Sequence, residues 1–360
     1  MIQTERRGHK VTVKHSIVMI CYNQEEYIGT ALDSVLCERV KPYEIIIGDD
    51  ASTDGTRKII DEYRNKYPEI IKVILNENNV GITANLNNVA PKATGDIVHF
   101  LSGDDWFKPG LLERMNNTIQ QMNLNPQKSR FVLLPHVIYH FLDGSEVVFR
   151  NDPRQLEQYS LVGSILRGIV RTRQIGYSRA LFDMWPLFLD DSEMIGPWAD
   201  HLQYVMFAQY SDRQIVIDCE GPVYRVSTGI SSRTPLQELD RSYHCALVQI
   251  LSSYHNGDLE LNSVDLKYLS FHEKAYSLPL TYSFVLLMKT VQSAISLARA
   301  DVSEVRFIAR DLYNAHRRLI STLAHKWAPW MVRLKRSCHW PRRWVRGDNG
   351  RGKRISGQQT

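Results

Sequence analysis

Ile45-Ile46-Ile47-Gly48-Asp49-Asp50-Ala51-Ser52-Thr53-Asp54-Gly55-Thr56 runs an apolar strand pattern straight into two adjacent carboxylates and a turn-forming Ser-Thr-Asp-Gly cluster. Further along, Val98-His99-Phe100-Leu101-Ser102-Gly103-Asp104-Asp105-Trp106 does the same, ending in a second acidic pair. In an open α/β sheet, ligands sit beyond the carboxyl ends of the strands, so both pairs are expected to border one cleft. Four carboxylates at one mouth repel one another unless a cation or polar ligand holds them.

The surrounding sequence alternates short apolar runs with helical spacing. Ser16–Ile20, Glu44–Ile47, Ile71–Leu75 and Ile97–Leu101 read as strands. Between them, helices are expected from Asn23 to about Cys37, over Thr56–Tyr67 (stopped by Pro68) and near Thr83–Ala90. Asn23 followed three residues later by Glu26 suggests a capping box at the start of the first helix. Strands separated by helices of this length imply parallel βαβ units. Residues 126–232 mix strands (Phe131–Tyr139, Glu146–Phe149, Ile215–Ile217) with short helices, and from about Pro235 onward the spacing is helical.

The 360-residue chain is 43% apolar and 23% charged, the balance of a globular protein with a substantial core. No apolar run approaches the roughly 18–20 residues that span a bilayer, so no membrane crossing is expected. The first ten residues carry basic side chains with no apolar core behind them, so no export signal is expected either. Five scattered cysteines lack paired spacing and fit a reducing compartment. There is no Gly-rich phosphate loop or nucleophile elbow. The net charge of +5 is concentrated near the end, where Arg333–Arg354 holds nine Lys/Arg against Asp348 alone. Trp327, Trp330, Trp340 and Trp344 interleave with that tail. This composition suits either a solvated basic tail or peripheral contact with an anionic membrane, and no recognition motif accompanies it to suggest nucleic acid.

Four segments taken together carry a resemblance: Ser16-Ile-Val-Met-Ile-Cys-Tyr-Asn-Gln-Glu-Glu-Tyr-Ile28, the Asp49–Thr56 stretch, Asn76-Glu-Asn-Asn-Val-Gly-Ile-Thr-Ala-Asn-Leu-Asn87, and Ala93–Trp106. In this order and spacing they resemble the nucleotide-sugar domain of family 2 inverting glycosyltransferases. The resemblance implies an α/β GT-A fold, Rossmann-like, with a mostly parallel central sheet flanked by helices and followed by a helical C-terminal extension. It implies a nucleotide-sugar half over 1–125 and an acceptor half over 126–232. The helical region 233–332 and the tail 333–360 lie beyond it.

The implied activity is transfer of a sugar from a nucleoside diphosphate sugar to a hydroxyl of a saccharide or lipid-linked acceptor, with inversion and with Mg²⁺ or Mn²⁺. Asp50 is then the nucleobase partner, with Tyr22 packing on the base. Asp49 is either a turn residue or a ligand, and Asp54 a helix cap. Asn79 and Gly81 skirt the nucleotide or serve a turn. The family's Asp-x-Asp tripeptide stands here as Ser102-Gly103-Asp104, so Ser102 faces the sugar, Asp104 holds the ion and Asp105 completes the shell or orients the acceptor. Asp200 is the expected catalytic base, at a position where the family has Glu-Asp and this chain has Ala199-Asp200. His201 is its rival. Arg225 is expected at the diphosphate, and Trp198, Ser231 and Ser232 at the acceptor. The resemblance also implies a cytoplasmic enzyme of bacterial surface-polysaccharide synthesis, peripheral on the inner face of the membrane. The altered Ser102 and Ala199 keep open a non-catalytic sugar-nucleotide-binding relative or scaffold subunit. A nucleotidyltransferase is the third reading, weakened by the lack of a Gly-rich, Lys-bearing loop.

Overall fold

The computed structural model describes residues 13–166, 175–184, 199–226, Thr228 and scattered positions between 250 and 269. The chain divides into two compact units, 1–274 and 275–360, and every described residue belongs to the first. The expected helices and basic tail beyond residue 270 lie outside the described residues, as do Trp198, Ser231 and Ser232.

The first half alternates as the sequence predicts. Strand β1 (His15–Cys21) leads to helix α1 (Ile28–Leu36), β2 (Glu44–Asp49) to α2 (Thr56–Lys66), and β3 (Ile71–Leu75) to α3 (Gly81–Val89) with a short 3₁₀ turn at Ala90–Lys92. Next come β4 (Ile97–Ser102), the two-residue β5 (Trp106–Phe107) and α4 (Leu111–Gln121). The second half contains β6 (Phe131–His140), β7 (Glu146–Phe149), α5 (Pro153–Leu166), β8 (Gly176–Ser178), α6 (Arg179–Phe182), α7 (Ala199–Tyr210) and the long β9 (Arg213–Arg225).

Among the described residues all nine strands join one sheet, in the order β3-β2-β1-β4-β8-β6-β9-β5, with β7 on β6. The expected parallel arrangement holds for β3-β2-β1-β4. Beyond β4 the sheet is mixed, because the short β8 runs antiparallel to both β4 and β6, while β9 is parallel to β6. Strand β8 has only three residues and no alternating pattern, so nothing local in the sequence announces it.

The sheet is covered on both faces, and strand alternation sorts the side chains between them. Ile45 and Ile47 of β2, with Ile17 and Met19 of β1, pack with Leu32 and Val35 of α1, Ile60 of α2 and Met115 of α4. Ile46 and Val18 point the other way, into a cluster with Val89 of α3, Ile165 of α5, Phe182 of α6 and Val205 and Phe207 of α7. Every residue of β2 is buried, which is why its sequence reads as a continuous apolar run. Gly48 is required for this layering: a Cβ there would lie 2.3 Å from Val89 Cγ2 and 2.6 Å from Asn85 Oδ1, so any larger residue would push α3 off the sheet.

The expected capping box does not form. Helix α1 begins at Ile28 with no side-chain cap, and Asn23 adopts a left-handed φ of 51°. Its Oδ1 instead accepts the Thr53 N–H at 2.8 Å, and its own N–H donates to Ser52 Oγ at 2.9 Å. Glu26 is exposed. Tertiary pairing of the two loops outcompetes the local cap, since Gln24 N also donates to Thr56 Oγ1 and Glu25 N to Asp54 Oδ2.

A buried polar chain links β1, β4 and α4. His15 Nε2 lies 2.9 Å from Asn116 Oδ1, and His15 Nδ1 lies 2.9 Å from His99 Nε2. With both rings neutral and Asn116 accepting from His15 Nε2, His99 Nε2 donates to His15 Nδ1. Burial lowers the pKa of His15 to about 4 and that of His99 well below the ordinary value. Because folding depresses both values, stability is full above the unfolded value of about 6.5 and is lost as the pH falls toward the folded one. At pH 5, His15 alone should cost about 2 kcal/mol. Denaturant midpoints measured at pH 7, 6 and 5 should fall steadily; a level midpoint across that window would contradict the buried neutral pair.

Candidate functional site

The two acidic turns sit on either side of β1. Asp49 pairs in register with Cys21, and Ser102 with Ile20, so both turns leave the sheet at the same level. They are two strand spacings apart, roughly 10 Å. The strand order changes direction here, since β2 and β3 lie on one side of β1 and β4 on the other, and that switch is where an α/β sheet opens a crevice.

All four carboxylates are buried, and each has its own donors. Asp49, fully buried, accepts Arg57 Nε at 2.5 Å and Ser52 N at 3.0 Å through Oδ1. Its Oδ1 thus ties the turn to α2. Asp50 is 4% exposed; its Oδ1 accepts Val80 N at 2.8 Å and Asn76 Nδ2 at 3.0 Å, and its Oδ2 accepts Gly81 N at 2.9 Å. A carboxylate has about four acceptor positions, and these three bonds let Asp50 hold the amino end of α3. Ala51, directly after it, takes a left-handed φ of 61°, a strained choice for alanine at the rim of the crevice.

Gly81 has a φ of +86°, which favours glycine, and its N–H also lies 3.2 Å from Asn79 Oδ1. Asn79 and Gly81 therefore build the turn that Asp50 grips. Asn85 extends this network by accepting from Asn76 and donating to the Gly48 carbonyl at 3.0 Å. Tyr22, directly after β1, is 45% exposed. Asp54 accepts Thr56 N and Glu25 N and so ties the two loops together, but the expected Asp54 cap does not form: Gly55 holds the cap position of α2, which has no side-chain cap bond.

The second turn is held differently. Asp104 is 3% exposed; its Oδ1 accepts the Ser102 hydroxyl at 2.5 Å and its Oδ2 the Thr228 hydroxyl at 3.1 Å. Asp105 is 2% exposed and accepts the Arg225 main-chain N–H at 2.9 Å. Arg225 also donates from Nε to the Asp104 carbonyl oxygen at 3.0 Å. The structure thus brings Ser102, Asp104, Asp105 and Arg225 together, and adds Thr228, which lay unnoticed in the Tyr-Arg-Val-Ser-Thr-Gly segment. Gly103 permits the turn: a Cβ there would meet Gln24 Oε1 at 2.3 Å.

One carboxylate flanked by hydroxyl and carbonyl oxygens is a hard, all-oxygen donor set that suits Mg²⁺ or Mn²⁺. Among the described residues no group of three or more His, Cys, Asp or Glu converges as a closed metal cage. An ion held by Asp104 would therefore draw its remaining ligands from phosphate and water, as Mg²⁺ commonly does. Cys21, beneath the crevice, is no rival centre, because burial and then the neighbouring Asp49 push its thiol pKa well up, which keeps it protonated and unreactive.

Asp200 is the second residue of α7. Strand β9 runs parallel to β6, and β6 parallel to β4 through the antiparallel β8. Helix α7 spans twelve residues and ends at Tyr210, just before β9 begins. His201 follows Asp200 directly. Arg225, the last residue of β9, arrives at the carboxyl edge of the sheet.

Comparison with known proteins agrees with this geometry. The Glycosyl transferase family 2 model matches residues 16–125. The uncharacterized protein Rv1520 of Mycobacterium tuberculosis is 34% identical over 165 residues, 46% of each chain, so the chain spans about half the length of this curated relative. Among solved structures, S. aureus TarS 1-349 in complex with UDP-GlcNAc aligns with a TM-score of 0.53 at 22% identity, covering 79% of this chain and 80% of that one. The mannosyltransferase PcManGT from Pyrobaculum calidifontis, in complex with GDP-Man and Mn²⁺, aligns with a TM-score of 0.50 at 15% identity, covering 86% and 80%. The structural likenesses bear on fold, and the matched segment contains both acidic turns. The chain carries a glycosyl transferase family 2 domain, residues 16–125, built on the GT-A fold.

Proposed function

We propose that this chain transfers a sugar, with inversion, from a nucleoside diphosphate sugar to an acceptor hydroxyl, assisted by a divalent ion at Asp104. The observation that carries this reading is the pair of acidic turns at one level of the sheet, on either side of β1. Their separation of roughly 10 Å suits a nucleoside lying across the end of β1, with its base at Asp50 and its diphosphate at Asp104. The nucleotide sugars bound by TarS and PcManGT support the same class of donor.

Each residue has a task in this reading. Tyr22 packs against the base, and Asp50 takes a base N–H. Ser102 orients a sugar or ribose hydroxyl. Bound through Asp104, Mg²⁺ or Mn²⁺ would neutralise charge on the departing diphosphate. Asp200 removes the acceptor proton as the hydroxyl attacks the anomeric carbon from the face opposite the leaving group, which produces inversion. Trp198, Ser231 and Ser232 remain assigned to a saccharide or lipid-linked acceptor. Among the described residues no helix is long and apolar enough to cross a membrane. Contact with a cytoplasmic membrane face is proposed through the Trp-containing basic tail alone.

Incubation with Mn²⁺ and a panel of nucleoside diphosphate sugars should release nucleoside diphosphate from one of them. Tight binding with no release from any donor would favour the non-catalytic relative. Asp104→Asn should weaken donor affinity and metal dependence together, read as a raised donor KM and a right-shifted Mn²⁺ titration. Asp200→Asn should lower kcat by roughly 10²–10⁴-fold with donor binding little changed; unchanged turnover would move the base elsewhere. Truncation after Ala328 should shift the protein from the membrane fraction to the supernatant, and equal partitioning of both forms would remove the lipid contact.

A further inference from the structure

Arg225 is held far more closely than a residue that only faces a phosphate needs to be. Its guanidinium lies 4.7 Å from the Tyr27 ring centroid and 4.5 Å from that of Trp106. Its Nε donates to the Asp104 carbonyl and its main-chain N–H to the Asp105 carboxylate. Trp106 reaches it because β5 pairs with β9, placing Trp106 opposite Val223, two residues before Arg225. The edge of His140, itself paired with Arg225 across β6 and β9, packs against Trp106 at 5.1 Å. Three segments far apart in sequence therefore meet on one planar cation: the turn before α1, the second acidic turn and the end of β9.

We propose that Tyr27, Trp106 and Arg225 form an aromatic clamp that fixes the position of the Asp104 turn, and with it the grip on a divalent ion and nucleoside diphosphate. This rests on the donor-site reading above and deepens it. Arg225 is then a positioning residue that acts through Asp104, and Tyr27 and Trp106 belong to the donor site without touching the donor. The chemistry requires arginine. A guanidinium can stack flat on rings while its edge donates in a fixed direction, whereas a lysine ammonium keeps the charge and loses both the plane and the Nε donor.

The test is Mn²⁺ uptake followed by electron paramagnetic resonance of the free ion, with UDP, GDP or CDP present, in the full chain. Arg225→Lys and Trp106→Leu should each weaken uptake about tenfold, and Trp106→Phe, which keeps a ring, should stay within about threefold of wild type. Arg225→Lys preserves charge and approximate length, so it carries the test if thermal melting shows that Trp106→Leu does not fold. Uptake by Arg225→Lys equal to that of the wild type would overturn the clamp alone and leave Arg225 as a simple charge. Failure of the wild-type protein to take up Mn²⁺ with any of the three nucleotides would overturn the donor-site reading and the clamp with it.

Discussion

The burial of four carboxylates at the ends of two strands is the constraint around which this fold is arranged. An unpaired buried charge costs several kcal/mol, so each of these groups must be given donors, and the strands that carry them have none to spare. The donors come from elsewhere: Arg57 of α2 for Asp49, the main chain at the start of α3 for Asp50, Thr228 for Asp104, and the main chain of Arg225 for Asp105. Satisfying the acids thus assembles the crevice, because the donors are loops, helix starts and the end of β9 brought to the same edge of the sheet.

The four acids divide into two kinds. Asp49 and Asp105 are occupied by groups that stay in place, a salt bridge in one case and a main-chain N–H in the other. Asp104 is held by hydroxyls of Ser102 and Thr228, which can rotate away or turn their lone pairs toward an incoming ion. Asp50 is intermediate, with both oxygens bonded. Replacement of the family's first tripeptide acid by Ser102 fits this pattern, since a hydroxyl donates to Asp104 where a second carboxylate would repel it.

Much of the architecture was legible along the chain. Strands β1, β2 and β4 announce themselves as apolar runs because they are almost wholly buried, while β3 keeps an apolar run although it lies half-exposed at the sheet edge, and the Ser-Thr-Asp-Gly and Ser-Gly-Asp-Asp turns mark where β2 and β4 stop. The misreadings share one cause. Asn23 and Glu26 have the spacing of a capping box, but the pairing of Asn23 with Ser52 and Thr53 is worth more than a local cap. The three-residue β8 and the full length of β9 depend on neighbours that are distant in sequence, and Trp106 and Tyr27 lay inside recognised motifs with no sign of their shared partner.

Local alternation, turn chemistry and motif order were enough to read the period of the first half, the location of both acidic turns and the family resemblance of residues 16–125. Which donors each carboxylate receives emerges only on folding, as when Arg225 and Thr228 close on Asp104 across 121 and 124 residues. Donors to a buried acid are chosen by proximity in space, and a contact between segments so far apart leaves no periodicity in either one.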